Sequence, residues 1–181
     1  MRKGDAVKTR AAPLPISRDL HGEVLALNNA HAVELSWLEP GELFALLGQA
    51  FYARRVGKLD AFLLAFDQGA SYDSPNYLWF RERYPRFVYV DRVVVAAGAR
   101  GHGLARLLYD DLFRCARVAG HDLVVCEVNV EPPNPVSDAL HAALGFAEVG
   151  RASIDEGKKT VRYLRLSLGS ELKRAPAPLP R

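Results

Sequence analysis

An apolar strand that runs directly into a glycine-rich turn and then into a helix is the feature that most constrains the fold. Residues 87–95, FVYVDRVVV, have the β-branched and aromatic content of a strand. Gly98, Gly101 and Gly103 follow, and residues 104–119 repeat apolar positions at helical spacing. Glycine is a poor helix starter, so these glycines indicate a backbone that an anion approaches closely, at the positive end of a helix.

The other hydrophobic patterns predict alternating helices and strands. A segment rich in Tyr, Ser, Asp and Asn, from Gln68 to Pro85, predicts a long loop that is a lid, a substrate-binding segment or disordered. The remaining predictions are an edge strand at Val7–Ala11, helices from Ser17 to about Ala30 and from Pro40 to Ala50, strands at 51–56, 60–66 and 122–130, a helix at 134–146, and closing strands at 147–152 and 160–168.

Length and composition bound the class of protein. The 181 residues are 49% hydrophobic and 25% charged, which predicts one globular domain at 16–168, between a mobile segment at 1–15 and a disordered Pro-rich tail at 169–181. A net charge of +3 from scattered basic residues argues against nucleic-acid binding. Without a long apolar run we expect a cytoplasmic protein away from membranes, and Cys115 and Cys126 have no metal-ligand spacing, so we expect no metal.

The order of the glycines separates the phosphate-binding motifs. Gly98, Gly101 and Gly103 read G-x-x-G-x-G, the reverse of the dinucleotide fingerprint G-x-G-x-x-G. A Walker loop requires Lys and then Ser or Thr after its last glycine, and here Leu104 and Ala105 follow. Both of these nucleotide-binding motifs are therefore excluded.

A third motif does match. Arg100, Gly103 and Ala105 form R-x-x-G-x-A, which resembles the pyrophosphate-binding motif [QR]-x-x-G-x-[GA] of the GNAT superfamily of acyl-CoA-dependent N-acyltransferases. The second GNAT signature, N-x-x-[AS]-x-x-L-[YH]-x-x-x-G-F, resembles Asn134, Ser137, Leu140, His141, Leu144, Gly145 and Phe146. The resemblance implies a GNAT fold of the α/β class, with a mixed, mostly antiparallel, splayed sheet of about seven strands and helices on both faces.

The resemblance also implies where acetyl-CoA, the cosubstrate, would lie: between the strand that ends at Val95 and the strand that carries Glu127. Its pantetheine arm would pair with the backbone of Val93, Val94 and Val95. Its pyrophosphate would meet the loop formed by Arg100, Gly101, His102, Gly103, Leu104 and Ala105. The following helix would contact acetyl-CoA through Asn134, Ser137 and His141.

Amide formation requires a base, because an alkyl amine with a pKa of about 10.4 is protonated at pH 7. Glu127 is the first candidate, since it is ionisable within an apolar strand and, in C-E-V, resembles the base of the family's protein N-terminal acetyltransferases. Asp91 is the second, because strand alternation predicts that it shares a face with Val93 and Val95. The alternatives are a structural carboxylate for Glu127 and an ion pair with an arginine for Asp91.

His141 is the candidate acid. Many members of the family have a tyrosine at this position, and a histidine is a known variant. Its imidazole, with a pKa near 6.5, could be kept protonated by a carboxylate and donate to the CoA sulfur. The alternative is a histidine that contacts CoA without proton transfer.

The resulting hypothesis is an acetyl-CoA-dependent N-acetyltransferase that acts by direct attack of an amine, with general base and acid assistance. We expect a small-molecule acceptor, selected by the first two helices and the Gln68–Pro85 segment. A protein N-terminal or lysine acetyltransferase and a non-catalytic CoA-binding sensor are the alternatives. Pairing of edge strands could also produce a homodimer.

Overall fold

The computed structural model describes residues 12–154 and 157–169, which form a seven-stranded sheet flanked by helices. The strands are β1 (Leu14–Pro15), β2 (Tyr52–Val56), β3 (Ala61–Asp67), β4 (Val88–Val95), β5 (Leu123–Glu131), β6 (Ala147–Ile154) and β7 (Lys159–Ser167). The helices are α1 (His21–Asn29), α2 (Pro40–Gln49), α3 (Pro75–Arg81), α4 (Leu104–Val118) and α5 (Pro135–Leu144).

The strand order is β1-β2-β3-β4-β5-β7-β6, and within the described ranges every neighbouring pair is antiparallel except β4 and β5. These two central strands pair in parallel at Val88↔Val124 and Tyr89↔Val125, and beyond those residues they diverge. The mixed, mostly antiparallel and splayed sheet is thereby confirmed. The homodimer expected from edge pairing stays a prediction.

Helices cover both faces of this sheet because both faces are apolar. Val24 of α1, Leu43 of α2 and Phe80 of α3 belong to one buried cluster, and Leu108 and Leu112 of α4 belong to the cluster on the opposite face. Strand β3 contributes side chains to both clusters, as its continuous apolar sequence predicts. The central strands are therefore fixed from both sides, which holds the diverging ends of β4 and β5 in place.

The prediction of a loop throughout Gln68–Pro85 was wrong, because α3 lies inside it. Pro75 occupies the first turn of this helix, where its missing N–H costs nothing. Tyr77 and Phe80 are both fully buried, so packing stabilises a helix that is too short to form alone. The edge strand predicted at Val7–Ala11 lies outside the described residues.

A β-bulge in β4 corrects the predicted face of Asp91. Leu64 pairs with Arg92 and Ala65 pairs with Val90, so Asp91 is an extra residue without a partner on β3. The bulge interrupts the alternation of side chains, and Asp91 turns toward the face covered by α1. The prediction that Asp91 shares a face with Val93 was therefore wrong.

Candidate active site

A cavity of about 990 Å³ opens where β4 and β5 diverge. Its walls also include the glycine loop, the start of α5, the connection between α1 and α2, and the segment before α3. It brings together most of the predicted site residues: Asp91, Val93, Val94, Val95, Arg100, Gly101, Gly103, Leu104, Ala105, Glu127, Asn134, Ser137 and His141.

The glycine loop forms one end of the cavity. Gly101 and Gly103 have φ angles of 78° and 73°, the left-handed region that favours glycine. Helix α4 begins at the next residue, Leu104, so the amides of its first turn have no partner within the helix. A Cβ on either glycine would meet no atom within 4 Å, and Arg100 and Arg106 line the same end. These amides and guanidinium groups form a donor set that fits a pyrophosphate.

His102 is the predicted loop residue that lies apart from the cavity wall. Its ring Nδ1 is 3.2 Å from the carbonyl oxygen of Ala99, within the loop itself. The side chain is exposed, so a contact between this imidazole and a phosphate stays a prediction.

Helix α5 begins at the same end of the cavity. The Asn134 side chain accepts a hydrogen bond from the amide of Ser137 at 3.1 Å and so caps the helix. Ser137 and His141 follow one turn apart and line the cavity with Asn134. The second sequence motif therefore lies beside the glycine loop.

Glu127 lies on β5 at the other end of the cavity, opposite Tyr163 of β7 in the strand register. Its Oε1 accepts a hydrogen bond from Asn76 Nδ2 at 3.0 Å, whereas Oε2 is buried and has no hydrogen-bond partner among the described residues. Burial, and next the negative charge of Asp91, raise the pKa of Glu127 to about 7. A carboxylate with this pKa can accept a proton near neutral pH.

Asp91 lines the cavity, but both of its oxygens are engaged. The Tyr72 hydroxyl donates to Oδ1 at 2.7 Å, and Arg92 forms an ion pair with Oδ2. Arg92 also donates to Asn28 of α1 at 2.7 Å and is 4% exposed. The structure thus contains the ion pair that was the alternative for Asp91, and the charge of Asp91 acts on Glu127.

His141 is buried with a hydrogen bond at each ring nitrogen. Nδ1 is 2.7 Å from the carbonyl oxygen of Ser137, and Nε2 is 2.7 Å from the hydroxyl of Tyr109. A carbonyl only accepts, so Nδ1 carries the proton and Nε2 accepts from Tyr109. Burial lowers the pKa of His141, and no carboxylate of the described chain hydrogen-bonds to it. The lowered pKa favours the neutral ring, and the role of His141 as a proton donor stays a prediction.

Three site residues were missed by the sequence analysis: Tyr72, Asn76 and Tyr109. Asn76 follows Ser-Pro, a dipeptide typical of a helix start, and this signal could have placed it in the first turn of a helix. Tyr109 stands next to the apolar face of α4, and Tyr72 lies in the segment predicted as a loop. Neither of these tyrosines carries a local signal of its contacts.

Asn28 and Asn29 of α1 hydrogen-bond to the backbone of the connection between α1 and α2, which forms part of the cavity wall. Asn28 Nδ2 donates to the carbonyl of Ser36 at 3.0 Å. Asn29 donates to the carbonyl of Leu38 at 2.9 Å and accepts from its amide at 3.0 Å. These hydrogen bonds join the two ends of the connection between α1 and α2, while the side chain of Trp37 within it is 63% exposed.

Sequence comparison identifies the family. The model of the acetyltransferase (GNAT) family matches residues 30–146, which is more than half of the chain. The chain belongs to the GNAT family of acetyltransferases. The match contains the glycine loop, Glu127 and His141, so most of the cavity wall lies within the matched residues, while Ile154 and Lys159 of the wall lie beyond them.

Known proteins resemble this GNAT chain in sequence and in fold. Phosphinothricin N-acetyltransferase of Streptomyces coelicolor is 41% identical over 71 residues, which cover 39% of this chain and two fifths (40%) of that protein. The ribosomal-protein-S18-alanine N-acetyltransferase of Escherichia coli superposes with a TM-score of 0.65 at 16% identity, over 89% of this chain and 97% of its own. A Salmonella typhimurium structure with its cofactor acetyl-CoA superposes with a TM-score of 0.63 at 16% identity, over 93% and 100%.

Two structural classes of site are absent from the part of the chain that the structure describes. No helix there has the length and apolar character that crossing a membrane requires. Across residues 12–154 and 157–169, no three His, Cys, Asp or Glu side chains are grouped as a metal centre would require.

Proposed function

We propose that the protein transfers an acetyl group from acetyl-CoA to a primary amine of a small molecule. The observation that carries the proposal is a single cavity with an anion-binding glycine loop at one end and, at the other, a carboxylate whose pKa lies near 7. Amide formation from a thioester and an ammonium ion requires both of these ends: one to hold the donor, the other to deprotonate the acceptor.

At the donor end, backbone groups do most of the binding. The amides at the start of α4, with Arg100 and Arg106, would hold the pyrophosphate. Because β4 no longer pairs with β5 beyond Tyr89, the backbone of Val93–Val95 is free on that side to hydrogen-bond to the pantetheine arm. Bound acetyl-CoA supplies an activated carbonyl that a neutral amine can attack directly.

At the acceptor end, Glu127 would remove the proton that blocks attack. Its buried Oε2 faces no partner of the described chain, so this oxygen is available to an ammonium group. Transfer of the proton breaks an N–H bond, forms an O–H bond and leaves a neutral amine. Leu35, Trp37 and Asp73 also line the cavity, so an acceptor would contact the connection between α1 and α2 and the segment before α3.

His141 would belong to the wall of the cavity near the reacting sulfur. Because the ring is neutral and both nitrogens are engaged, we assign it a role in binding, with the Tyr109 hydroxyl held beside it. The alternative is the proton donor of the sequence hypothesis, and substitution of His141 separates the two.

Calorimetric titration with acetyl-CoA tests the donor end. We expect saturable binding that weakens at least tenfold in Arg100→Ala, because a charge-assisted contact to pyrophosphate is lost. Arg81→Ala, an exposed arginine of α3, is the matched control and should bind as the parent does. Failure of the parent protein to bind at millimolar acetyl-CoA would overturn the proposal.

Thiol release with a panel of amines and peptides tests catalysis. We expect Glu127→Gln to lower kcat by about 100-fold or more, the range of general-base catalysis, and His141→Ala by less than tenfold. A larger loss in His141→Ala, together with disappearance of the alkaline limb of the pH profile, would restore the donor role. If all acceptors fail while acetyl-CoA binds, the protein is a sensor; turnover of peptides alone would identify a protein acetyltransferase.

A further inference from the structure

Asn76 contacts Glu127 from the first turn of α3, the helix hidden in the predicted loop. The residue is 8% exposed, and its Nδ2 donates to Glu127 Oε1 at 3.0 Å. Its Oδ1 accepts from the hydroxyl of Tyr163 at 3.1 Å. An ionised carboxylate only accepts hydrogen bonds, so the NH₂ side of the amide faces Glu127 in the ionised state that the proposed reaction uses.

The other end of this chain of hydrogen bonds is fixed by packing. Tyr163 is 1% exposed, and its ring stacks on Trp79 with centroids 4.1 Å apart. Phe80 meets the same ring edge-on at 5.2 Å. Trp79 and Phe80 lie one turn after Asn76, so one face of α3 holds both the amide and the phenol to which it is bonded.

Glu127 and Tyr163 are also direct partners in the register of β5 and β7. Asn76 therefore bridges a cross-strand pair, and three elements position one carboxylate oxygen. The second oxygen, Oε2, is buried in the same place with no partner among the described residues. Oε1 is thus anchored by the protein, whereas Oε2 has no partner at hydrogen-bond distance among the described residues; the buried Tyr89 hydroxyl also lies close enough to lower the pKa of Glu127.

We propose that Asn76 is a positioning residue that, together with Tyr163, anchors Oε1 of Glu127 and so presents Oε2 to the ammonium group of the acceptor. This inference rests on the proposed role of Glu127. In the step it serves, an N–H bond of the ammonium breaks and an O–H bond forms at Oε2, while the hydrogen bond from Asn76 to Oε1 persists.

Loss of the hydrogen bond from Asn76 should change the pH dependence of activity. A hydrogen bond to the ionised form stabilises it, so loss of the Asn76 amide should raise the pKa of Glu127. The charge of Glu127 interacts with Tyr72, Tyr89, Asp91, Tyr109, Cys126 and Tyr163, and His31, Glu34 and Asp73 line the same cavity. Burial raises the pKa of each of these tyrosines and of the thiol, and Asp91 is held in its ion pair by Arg92. Because His31, Glu34 and Asp73 also line the cavity, the carboxyl titration of Glu127 itself is needed to assign the acidic limb of the activity profile to this residue.

The experiment compares the pH profile of kcat/KM in Asn76→Ala, Tyr163→Phe and the parent, with Arg81→Ala as a control on the same helix. We expect the acidic limb to move up by about one pH unit in Asn76→Ala, which is about a tenfold loss below the limb and little loss above it. Tyr163→Phe keeps the stacked ring and should move the limb less, in the same direction. A uniform loss at every pH, or an unmoved limb, would overturn the proposal.

Carboxyl carbon NMR of the protein labelled at glutamate gives a readout that does not depend on turnover. Glu127→Gln identifies the resonance, and its titration should shift in Asn76→Ala by the same amount as the limb. If Glu127→Gln retains full kcat, the proposed base is wrong, whereas the NMR titration still reports on the anchoring itself. An unchanged titration in both Asn76→Ala and Tyr163→Phe would overturn the anchoring, and Tyr163→Phe alone decides if Asn76→Ala does not fold.

Discussion

Glu127 combines a buried position with a charge that the proposed reaction needs. Its pKa in the folded protein is raised from the ordinary value of 4.5 to about 7, so between these values the native state binds a proton more readily than the unfolded chain does. The contribution of this group to stability is therefore fully present below about pH 4.5 and is lost as the pH rises through 7. The proposed role as a base requires the ionised form, so under this proposal catalysis is favoured above the pKa of Glu127 and stability below it.

Replacement of the Glu127 carboxyl should show that its negative charge lowers the stability of the folded protein. We expect Glu127→Gln to be as stable as the parent near pH 5 and more stable near pH 8, by up to about 3 kcal/mol, because an amide carries no charge to desolvate. Urea denaturation at the two pH values measures the difference, and Glu82→Gln, an exposed carboxylate, is the control. Lower stability of Glu127→Gln at both values would mean that the hydrogen bonds of the anion outweigh its burial.

At the scale of elements, long segments with a regular hydrophobic pattern were predictable from sequence, whereas short or irregular elements were not. The alternation and apolar content of β3 and β4, and the helical spacing of α4, predict those elements because burial acts along their whole length. Helix α3 has seven residues and depends on the aromatic side chains it buries. The bulge at Asp91 depends on the pairing of two strands, which one strand does not encode.

The candidate site divides in the same way. The glycine loop and the cap of α5 are local motifs, so Arg100, Gly103 and Asn134 could be named from their spacing. Asn76 and Tyr109 act through partners that are distant in the chain, across 51 and 32 positions respectively. Such contacts arise from tertiary packing and have no counterpart in a linear motif.

The packing of α3 on the sheet leads to a prediction at a single glycine. A Cβ built on Gly150 of β6 would lie 2.7 Å from Cζ2 of Trp79, whose ring is already stacked on Tyr163. We expect Gly150→Ala to destabilise the protein by about 1–3 kcal/mol, because the indole must move out of a packed position. Gly48→Ala in α2, where a Cβ meets nothing within 4 Å, should instead stabilise by up to about 1 kcal/mol.

Denaturation curves of these two variants measure the difference. Equal effects of the two substitutions would show that the Trp79 position is not tightly packed. Because Trp79 and Asn76 share α3, the acidic limb of Gly150→Ala also reports whether a displaced indole reaches the proposed base.

At the scale of the whole molecule, the divergence of β4 and β5 separates two kinds of charge within one cavity. Arg100 and Arg106 line the end at the glycine loop, whereas Glu34, Asp73 and Glu127 line the end beside α1 and α3, and Lys159 of β7 is a further cation of the cavity wall. The buried arginine of β4 is neutralised by its neighbour and adds little positive charge there. The field within the cavity therefore favours an anionic donor at one end and a cationic acceptor at the other.

This distribution of charge predicts the order of acceptors. We expect an amine with a second cationic group to have a kcat/KM at least about tenfold above that of phosphinothricin, whose carboxylate and phosphinate would meet the carboxylates of the acceptor end. A monoamine of equal length is the matched control and should fall between them, and added salt should narrow the differences. A higher kcat/KM for phosphinothricin would contradict the expectation.

The two asparagines at the end of α1 have a consequence for how such a protein diversifies. They hold the backbone at Ser36 and Leu38 through main-chain atoms, in addition to the packing of Leu35 against the core and the hydrogen bond from Trp37 to Glu39. The donor end of the cavity and Glu127 on β5 belong to other parts of the chain. Substitution of His31, Glu34 and Trp37 should therefore change which acceptors the protein uses without changing its affinity for acetyl-CoA.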